Sequence, residues 1–173
     1  MGIFTVNYDE TNIRVLYPPS GLNRALSSVF LAGPIQGAPE WQQYFIDKVK
    51  ESYTDNTVIQ ILNPRRTEFN KEKFVYEQQV DWETNSLNSA DIIVFWLCNE
   101  VEHIEGRDYA QTSRFEIGEW VAKICECGSP KKIIIGIEDG FKGDRYIKYR
   151  TSKFGIPIYN NLDDIITEVI NSI

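Results

Sequence analysis

An acidic residue at position 83 stands where a carboxyl group could take part in acid or base chemistry. The periodicity of residues 72–89 predicts a helix, with Tyr76, Val80 and Leu87 on one core-facing stripe. Glu83 lies in the middle of that stripe, seven residues after Tyr76. Burying a carboxylate costs on the order of a few kcal/mol unless it is paired or protonated. Helix phase alone therefore predicts either a catalytic acid or a structural one that pairs with an Arg or a helix N-terminus.

A second acid, Glu116, belongs to the segment Thr112-Ser-Arg-Phe-Glu-Ile-Gly. This segment predicts a helix over residues 113–125 with Thr112 or Ser113 as its N-cap. With Ser113 as the cap, Glu116 becomes the capping-box partner at the third helical position. Gly118 is unfavourable inside a helix, which predicts close approach of backbone or ligand. If both acids face one cleft, they could cleave a glycosidic bond as nucleophile and proton donor.

Two loops that follow predicted strands could bind the polar edges of a ligand. Residues 32–39 join a strand to a helix N-terminus and match neither a Walker A nor a dinucleotide-binding glycine motif. Arg65 and Arg66 follow another strand and could bind a phosphate group. A solvated surface role for the two arginines is equally consistent with the sequence.

Composition limits the classes of function. The chain has 173 residues, a formal net charge of -7 and a pI near 4.8, which argues against nucleic-acid polymers and anionic membranes as partners. Cys98, Cys125 and Cys127 fit neither a disulfide framework nor a common zinc spacing, and His103 is the only histidine. We therefore expect no metal site on these residues. Reduced thiols and the lack of a targeting or membrane-spanning pattern predict a cytoplasmic protein.

Apolar strands alternate with helices along the chain, which predicts a parallel sheet covered on both faces. We expect one domain over residues 1–173, with an N-terminal arm at 1–27 that contains a candidate edge strand at 13–17. Ligands of such folds bind at the carboxyl ends of the strands. Further strands are predicted at 29–32, 58–62, 92–97, 132–137 and 156–159, and further helices at 39–53 and 162–170, with a short helix within 138–155.

Four motifs in order resemble the nucleoside 2-deoxyribosyltransferase-like family. They are Phe30-Leu-Ala-Gly-Pro-Ile-Gln-Gly, Asn63-Pro-Arg-Arg, Gln79-Val-Asp-Trp-Glu with Ala90-Asp-Ile-Ile-Val-Phe-Trp, and Thr112-Ser-Arg-Phe-Glu-Ile-Gly-Glu. The resemblance covers roughly residues 28–160. It implies a flavodoxin-like (Rossmann-like) α/β three-layer sandwich, with a mostly parallel five-stranded sheet. It also implies a homo-oligomer that needs neither metal nor cofactor.

The resemblance also implies roles for individual residues. Glu116 matches the family's nucleophilic glutamate, and Glu83 falls where the family usually has an aspartate that handles the base proton. Asp81 is the reserve candidate for that second role. The remaining expected substrate-binding residues are Gly33 and Gln36 beside the base, Ser113 near the sugar or a 5′-phosphate, and Pro34, Asn63, Arg65 and Arg66.

We therefore expect an enzyme that cleaves the N-glycosidic bond of a nucleoside or nucleotide through a glycosyl–Glu116 intermediate and transfers the sugar to another base. Transfer to water, as in nucleotide N-glycosidases, is one alternative. A module that binds a nucleotide or an ADP-ribose-like ligand without turnover is another, because Glu replaces the usual Asp at position 83.

Overall fold

The computed structural model describes residues 12–67, 70 and 72–173. Residues 1–11 of the expected N-terminal arm lie outside the described residues. In chain order, the elements are β1 (Ile13–Leu16), β2 (Ser27–Ala32), α1 (Trp41–Ser52), β3 (Ile59–Leu62), α2 (Tyr76–Ser89), β4 (Ile92–Leu97), α3 (Gln111–Cys125), β5 (Lys132–Ile137), α4 (Asp144–Ser152), β6 (Ile158–Tyr159) and α5 (Leu162–Ile170).

The strands form one parallel sheet in the order β1-β3-β2-β4-β5-β6. The α/β class and the flavodoxin-like sheet are confirmed, but the expected number of five strands is wrong. The sixth strand is β1, which pairs in register with all four residues of β3 and occupies the sheet edge. The pairing satisfies backbone groups that an isolated arm would leave to water.

Two hydrophobic clusters lie on opposite faces of the sheet and make the three layers. Along β4, Ile92, Val94 and Trp96 join one cluster, and the alternate residues join the other. Helices α1 and α5 cover the first face, and α2, α3 and α4 cover the second. A strand buried on both faces reads as a continuous apolar run, which explains why β4 and β5 were visible in the sequence.

The strand order reverses around β2, because the chain passes first to β3 on one side and later to β4 on the other. Parallel α/β sheets bind ligands in the crevice beyond such a reversal. The loops that follow β2, β3 and β4 meet at that edge. Within the part of the chain that the structure describes, no helix is long and apolar enough to cross a membrane.

Candidate active site

A cavity of about 890 Å³ opens at the carboxyl ends of β2, β3 and β4. Its size is that of an ordinary small-molecule site. The loop after β2 forms one wall, helix α2 forms another, and the loop before α3 together with the first turns of α3 closes the third. Among the expected site residues, the cavity is lined by Gly33, Pro34, Gln36, Arg65, Arg66, Glu83, Ser113 and Glu116.

Glu83 lies on the wall that α2 contributes. The stripe Tyr76, Val80, Glu83 and Leu87 does form one face of the helix, and all four residues line the cavity. The expectation that this face points into the core is confirmed for Leu87 and wrong for the other two apolar residues, since Tyr76 is 64% exposed and Val80 38%. The core side of α2 carries Trp82 instead, whose indole N–H donates to the Ser20 carbonyl. The N-terminal half of the stripe therefore forms a cavity wall.

Three side chains form a chain of hydrogen bonds that ends on Glu83. Arg66 Nε donates to Gln79 Oε1 at 2.8 Å, and Gln79 Nε2 donates to Glu83 Oε1 at 2.7 Å. Gln79 Nε2 also donates to the Pro64 carbonyl. Burial raises the pKa of Glu83, whereas the Gln79 hydrogen bond and the Arg66 charge act to lower it.

Glu116 projects into the cavity from the second turn of α3. Helix α3 begins at Gln111, and its N-cap is Ala110 in the left-handed conformation (φ 57°), with no side-chain cap hydrogen bond. The expected Ser113 cap and the capping-box role of Glu116 were therefore wrong, because the helix starts two residues earlier than the cap pattern indicated. No hydrogen bond to the Glu116 carboxyl group occurs within the described residues. Burial raises the pKa of Glu116 to about 8, and the charges of Glu83 and Glu119 add to that effect.

The loop after β2 is fixed by close packing. A Cβ atom on Gly33 would collide with the Trp96 carbonyl oxygen and would lie 2.7 Å from the Trp41 ring. Trp41 Nε1 donates to the Pro34 carbonyl at 2.9 Å, which holds the next peptide in place. Gln36 is exposed at the cavity, so its amide is accessible to a ligand.

The Arg65 side chain hydrogen-bonds to the loop between β2 and α1. Its Nη2 donates to the carbonyls of Ile35, Ala38 and Pro39 at 2.8, 3.3 and 3.1 Å. Asn63 is 3% exposed and does not line the cavity, and its Oδ1 accepts from the Arg65 backbone N–H. These contacts make both residues structural supports of the cavity wall.

The remaining expected site residues differ in placement. Asp81 is exposed and does not line the cavity. Ser113 is 4% exposed and lines the cavity one helical turn before Glu116. A Cβ atom on Gly118 would meet nothing within 4 Å, so close approach of another part of the described chain does not explain this glycine.

Two of the described aromatic side chains that line the cavity have exposed rings. Phe115 is 73% exposed and Tyr76 is 64% exposed, and both line the cavity. Trp41 and Trp82, by contrast, are buried in the two cores. Tyr76 and Gln79 were not assigned to the site from the sequence; their place on the Glu83 face of α2 was the signal that could have found them.

The cavity carries more acid than base. Of the residues that the structure describes, five acidic ones and four basic ones line it, and the basic ones are Arg65, Arg66, Arg107 and Lys123. Lys123 donates to Glu119 at 2.5 Å, and both arginines after β3 are held by protein acceptors. Among the described residues, no group of three or more His, Cys, Asp or Glu side chains could hold a metal ion.

Comparison with known proteins places the chain in a family. A crystal structure described as a conserved protein from Enterococcus faecalis V583 matches with a TM-score of 0.56 and 14% identity, over 86% of this chain and 99% of that one, which supports the fold. No curated protein matches. The family model described as nucleoside 2-deoxyribosyltransferase like matches residues 26–138. This match spans well over half of the chain and includes every expected site residue, so the chain belongs to the nucleoside 2-deoxyribosyltransferase-like family.

Proposed function

We propose that the chain is an enzyme that cleaves the N-glycosidic bond of a nucleoside and transfers the sugar to another base. The single observation that carries this proposal is the pair of glutamates, Glu83 and Glu116, in one cavity at the carboxyl edge of the sheet. Their charges interact, since Glu83 contributes to the raised pKa of Glu116. A double displacement at an anomeric carbon requires two carboxyl groups, one as the nucleophile and one as the proton donor.

Formation and breakdown of the glycosyl–Glu116 intermediate use the same proton, which Glu83 gives up in the first step and regains in the second. A carboxylate oxygen of Glu116 attacks C1′ of the sugar, the C1′–N bond breaks, and the departing base nitrogen takes the proton that Glu83 carries. A nitrogen of a second base then attacks C1′, the C1′–O bond to Glu116 breaks, and Glu83 accepts the proton released. Two inversions at C1′ retain its configuration overall.

The raised pKa of Glu116 sets a condition on this mechanism. With a pKa of about 8, the carboxyl group is mostly neutral at pH 7 in the empty cavity, and a neutral carboxyl group is a weak nucleophile. Burial also raises the pKa of Glu83, so a proton shared by the coupled pair can reside on either carboxyl group. Attack proceeds from the form in which this proton sits on Glu83 and Glu116 is ionised.

The same observation favours a second candidate, a module that binds a nucleoside-like ligand without turnover. A neutral Glu116 would donate a hydrogen bond to a ligand oxygen or nitrogen and would not attack carbon. Phe115 and Tyr76 could stack on the base in either case.

A panel of nucleosides with and without a free acceptor base separates the outcomes. We expect a new nucleoside only when acceptor base is present, as followed by chromatography. Release of base at the same rate without acceptor would assign the chain as an N-glycosidase. Calorimetric binding with no product in either condition would assign it as a binding module and contradict the proposal.

A further inference from the structure

We infer that Gln79 is the positioning residue for Glu83: anchored by Arg66, its amide occupies one carboxylate oxygen of Glu83 and fixes which oxygen remains to serve the substrate. The inference rests on the proposed function for its catalytic meaning. The contacts that carry it do not depend on which substrate is bound. Gln79, which makes these contacts, was not among the expected site residues.

The direction of the Gln79 amide is determined by chemistry. A guanidinium nitrogen can only donate, so the atom of Gln79 that lies 2.8 Å from Arg66 Nε must be the amide oxygen. The NH₂ end then faces Glu83 and the Pro64 carbonyl, both of which are acceptors. Any flipped arrangement would place donor against donor at Arg66 and acceptor against acceptor at Glu83 and Pro64.

Arg66, which anchors Gln79, is itself held by two further contacts. Arg66 Nη1 donates to the Pro18 carbonyl at 3.5 Å, and its guanidinium lies over the Phe74 ring at 5.5 Å. Gln79 thus ties α2 to the segment after β3. A side chain with both ends engaged loses little further rotamer freedom when the substrate binds.

The geometry assigns different tasks to the two oxygens of Glu83. Oε1 accepts from Gln79, and no described residue donates to Oε2. Oε2 is therefore the oxygen available to carry a proton to the departing base. The hydrogen bond to Oε1 favours the ionised carboxylate, so Gln79 makes Glu83 a readier proton donor than burial alone would allow.

Other charges also act on Glu83 and must be held constant in a test. Arg66 faces it from the segment after β3, and Glu116 faces it from α3. The further charged groups around the cavity are Arg65, Glu100, Arg107, Asp108, Glu119 and Lys123. The test therefore changes Gln79 to an uncharged residue of similar length.

The experiment is a carbon NMR titration of the side-chain carboxyl groups in protein labelled at glutamate, with Glu83→Gln to assign the resonance. Gln79→Met removes all three side-chain hydrogen bonds of Gln79 and keeps the length of the side chain. The matched control is Gln78→Met, because Gln78 is the exposed neighbour on the same helix and does not line the cavity. We expect Gln79→Met to raise the titration midpoint of Glu83 by about one pH unit, as for the loss of a charge-assisted hydrogen bond. Gln78→Met should leave it unchanged.

An unchanged Glu83 midpoint in folded Gln79→Met protein would overturn the inference. Should that variant unfold, Gln79→Asn shortens the amide by one methylene and leaves every charge around the cavity in place, and it should shift Glu83 in the same direction. No shift in folded Gln79→Asn would overturn the inference equally. The titration needs no substrate, so it decides the positioning role even when no glycosyl transfer is found. Where transfer is found, Gln79→Met should lower kcat at least tenfold with little change in KM, and equal losses in Gln78→Met would contradict the assignment.

Discussion

Glu83 and Glu116 line the same cavity from helices α2 and α3, and the charge of Glu83 helps to hold the proton on Glu116. The two residues are 33 positions apart in the chain. They come together because β4 lies beside β2 and brings the start of α3 opposite the middle of α2. Among the described residues, Glu83 accepts a hydrogen bond from Gln79 and Glu116 accepts none, which makes the pair chemically unequal.

Glu116→Gln should abolish glycosyl transfer, because an amide cannot form the ester with the sugar that the proposed mechanism requires. The fold should survive, since Glu116 has no cap role and no hydrogen-bond partner among the described residues. We expect kcat to fall by at least about a thousandfold. Product formation and circular dichroism check the two halves of this prediction, and activity within tenfold of the wild type would contradict it.

The same variant should alter stability in a pH-dependent way. Burial raises the pKa of Glu116 from its ordinary value of 4.5 to about 8, so the folded state holds this proton more tightly than the unfolded chain does. Wild-type stability therefore decreases as pH rises from about 4.5 to about 8 and levels off above that. The Tm of Glu116→Gln minus that of the wild type should grow over this window. Thermal unfolding at pH 5, 7 and 9 measures it, and a constant difference would argue against the buried charge.

The rate of transfer should follow a bell-shaped pH profile. Below the raised pKa of Glu83 both acids are protonated and no nucleophile exists, and above about pH 8 the pair loses its last proton and no donor remains. Initial rates of kcat/KM from pH 4 to 10 locate the two limbs. A rate that keeps increasing above pH 9 would show that base departure needs no acid from the pair.

Two glycines give a matched test of the cavity wall. Gly33→Ala should destabilise the protein by about 1–3 kcal/mol, because its Cβ collides with the Trp96 carbonyl oxygen and crowds Trp41. Gly118→Ala should stabilise it by about 0.5–1 kcal/mol, because the added methyl group on α3 meets open space. Urea unfolding measures both changes. Equal effects of the two substitutions would mean that Trp96 and Trp41 shift to accommodate the added methyl group at Gly33.

Much of the fold could be predicted from the sequence because buried parallel strands are apolar throughout. The apolar segments that form β4 and β5 stand out for that reason, and the candidate edge strand at 13–17, which Pro18 and Pro19 follow, corresponds to β1 at the sheet edge. Helix α3 began earlier than expected because Ala110 takes the left-handed conformation, which no sequence pattern signals for alanine. The face of α2 was predicted correctly, but its environment was not, since an apolar stripe looks alike whether it faces a core or a cavity.

The expected phosphate contacts depended on tertiary structure that local sequence does not contain. Arg65 and Arg66 follow a strand as expected, yet backbone carbonyls and Gln79 engage them. We therefore expect nucleosides to be used in preference to their 5′-monophosphates by about tenfold in kcat/KM, because both arginines would have to give up their protein acceptors to bind a phosphate. Competition between the two substrates measures this ratio. A preference for the monophosphate that Arg107→Gln abolishes would instead place a phosphate at the exposed loop before α3.

Glu83→Gln provides the sharpest test of proton donation. Glutamine keeps the length of the side chain but cannot give up a proton, so kcat with an ordinary nucleoside should fall by about a hundredfold to ten-thousandfold. A nucleoside of an N7-methylated purine already carries positive charge on its base, which can leave without protonation. With that donor the variant should lose far less, provided that Glu116 still attacks. The pKa of Glu116 should also decrease, because a like charge has been removed.

Asp81→Asn is the matched control for this test, since Asp81 lies on the same helix but is exposed and outside the cavity. It should act like the wild type on both nucleosides. Equal losses on the two substrates in Glu83→Gln would show that Glu83 shapes the cavity and does not protonate the base. A selective loss on the ordinary nucleoside in Asp81→Asn would assign proton donation to Asp81. The hydrogen bond from Gln79 to Glu83 would then have no role in proton donation.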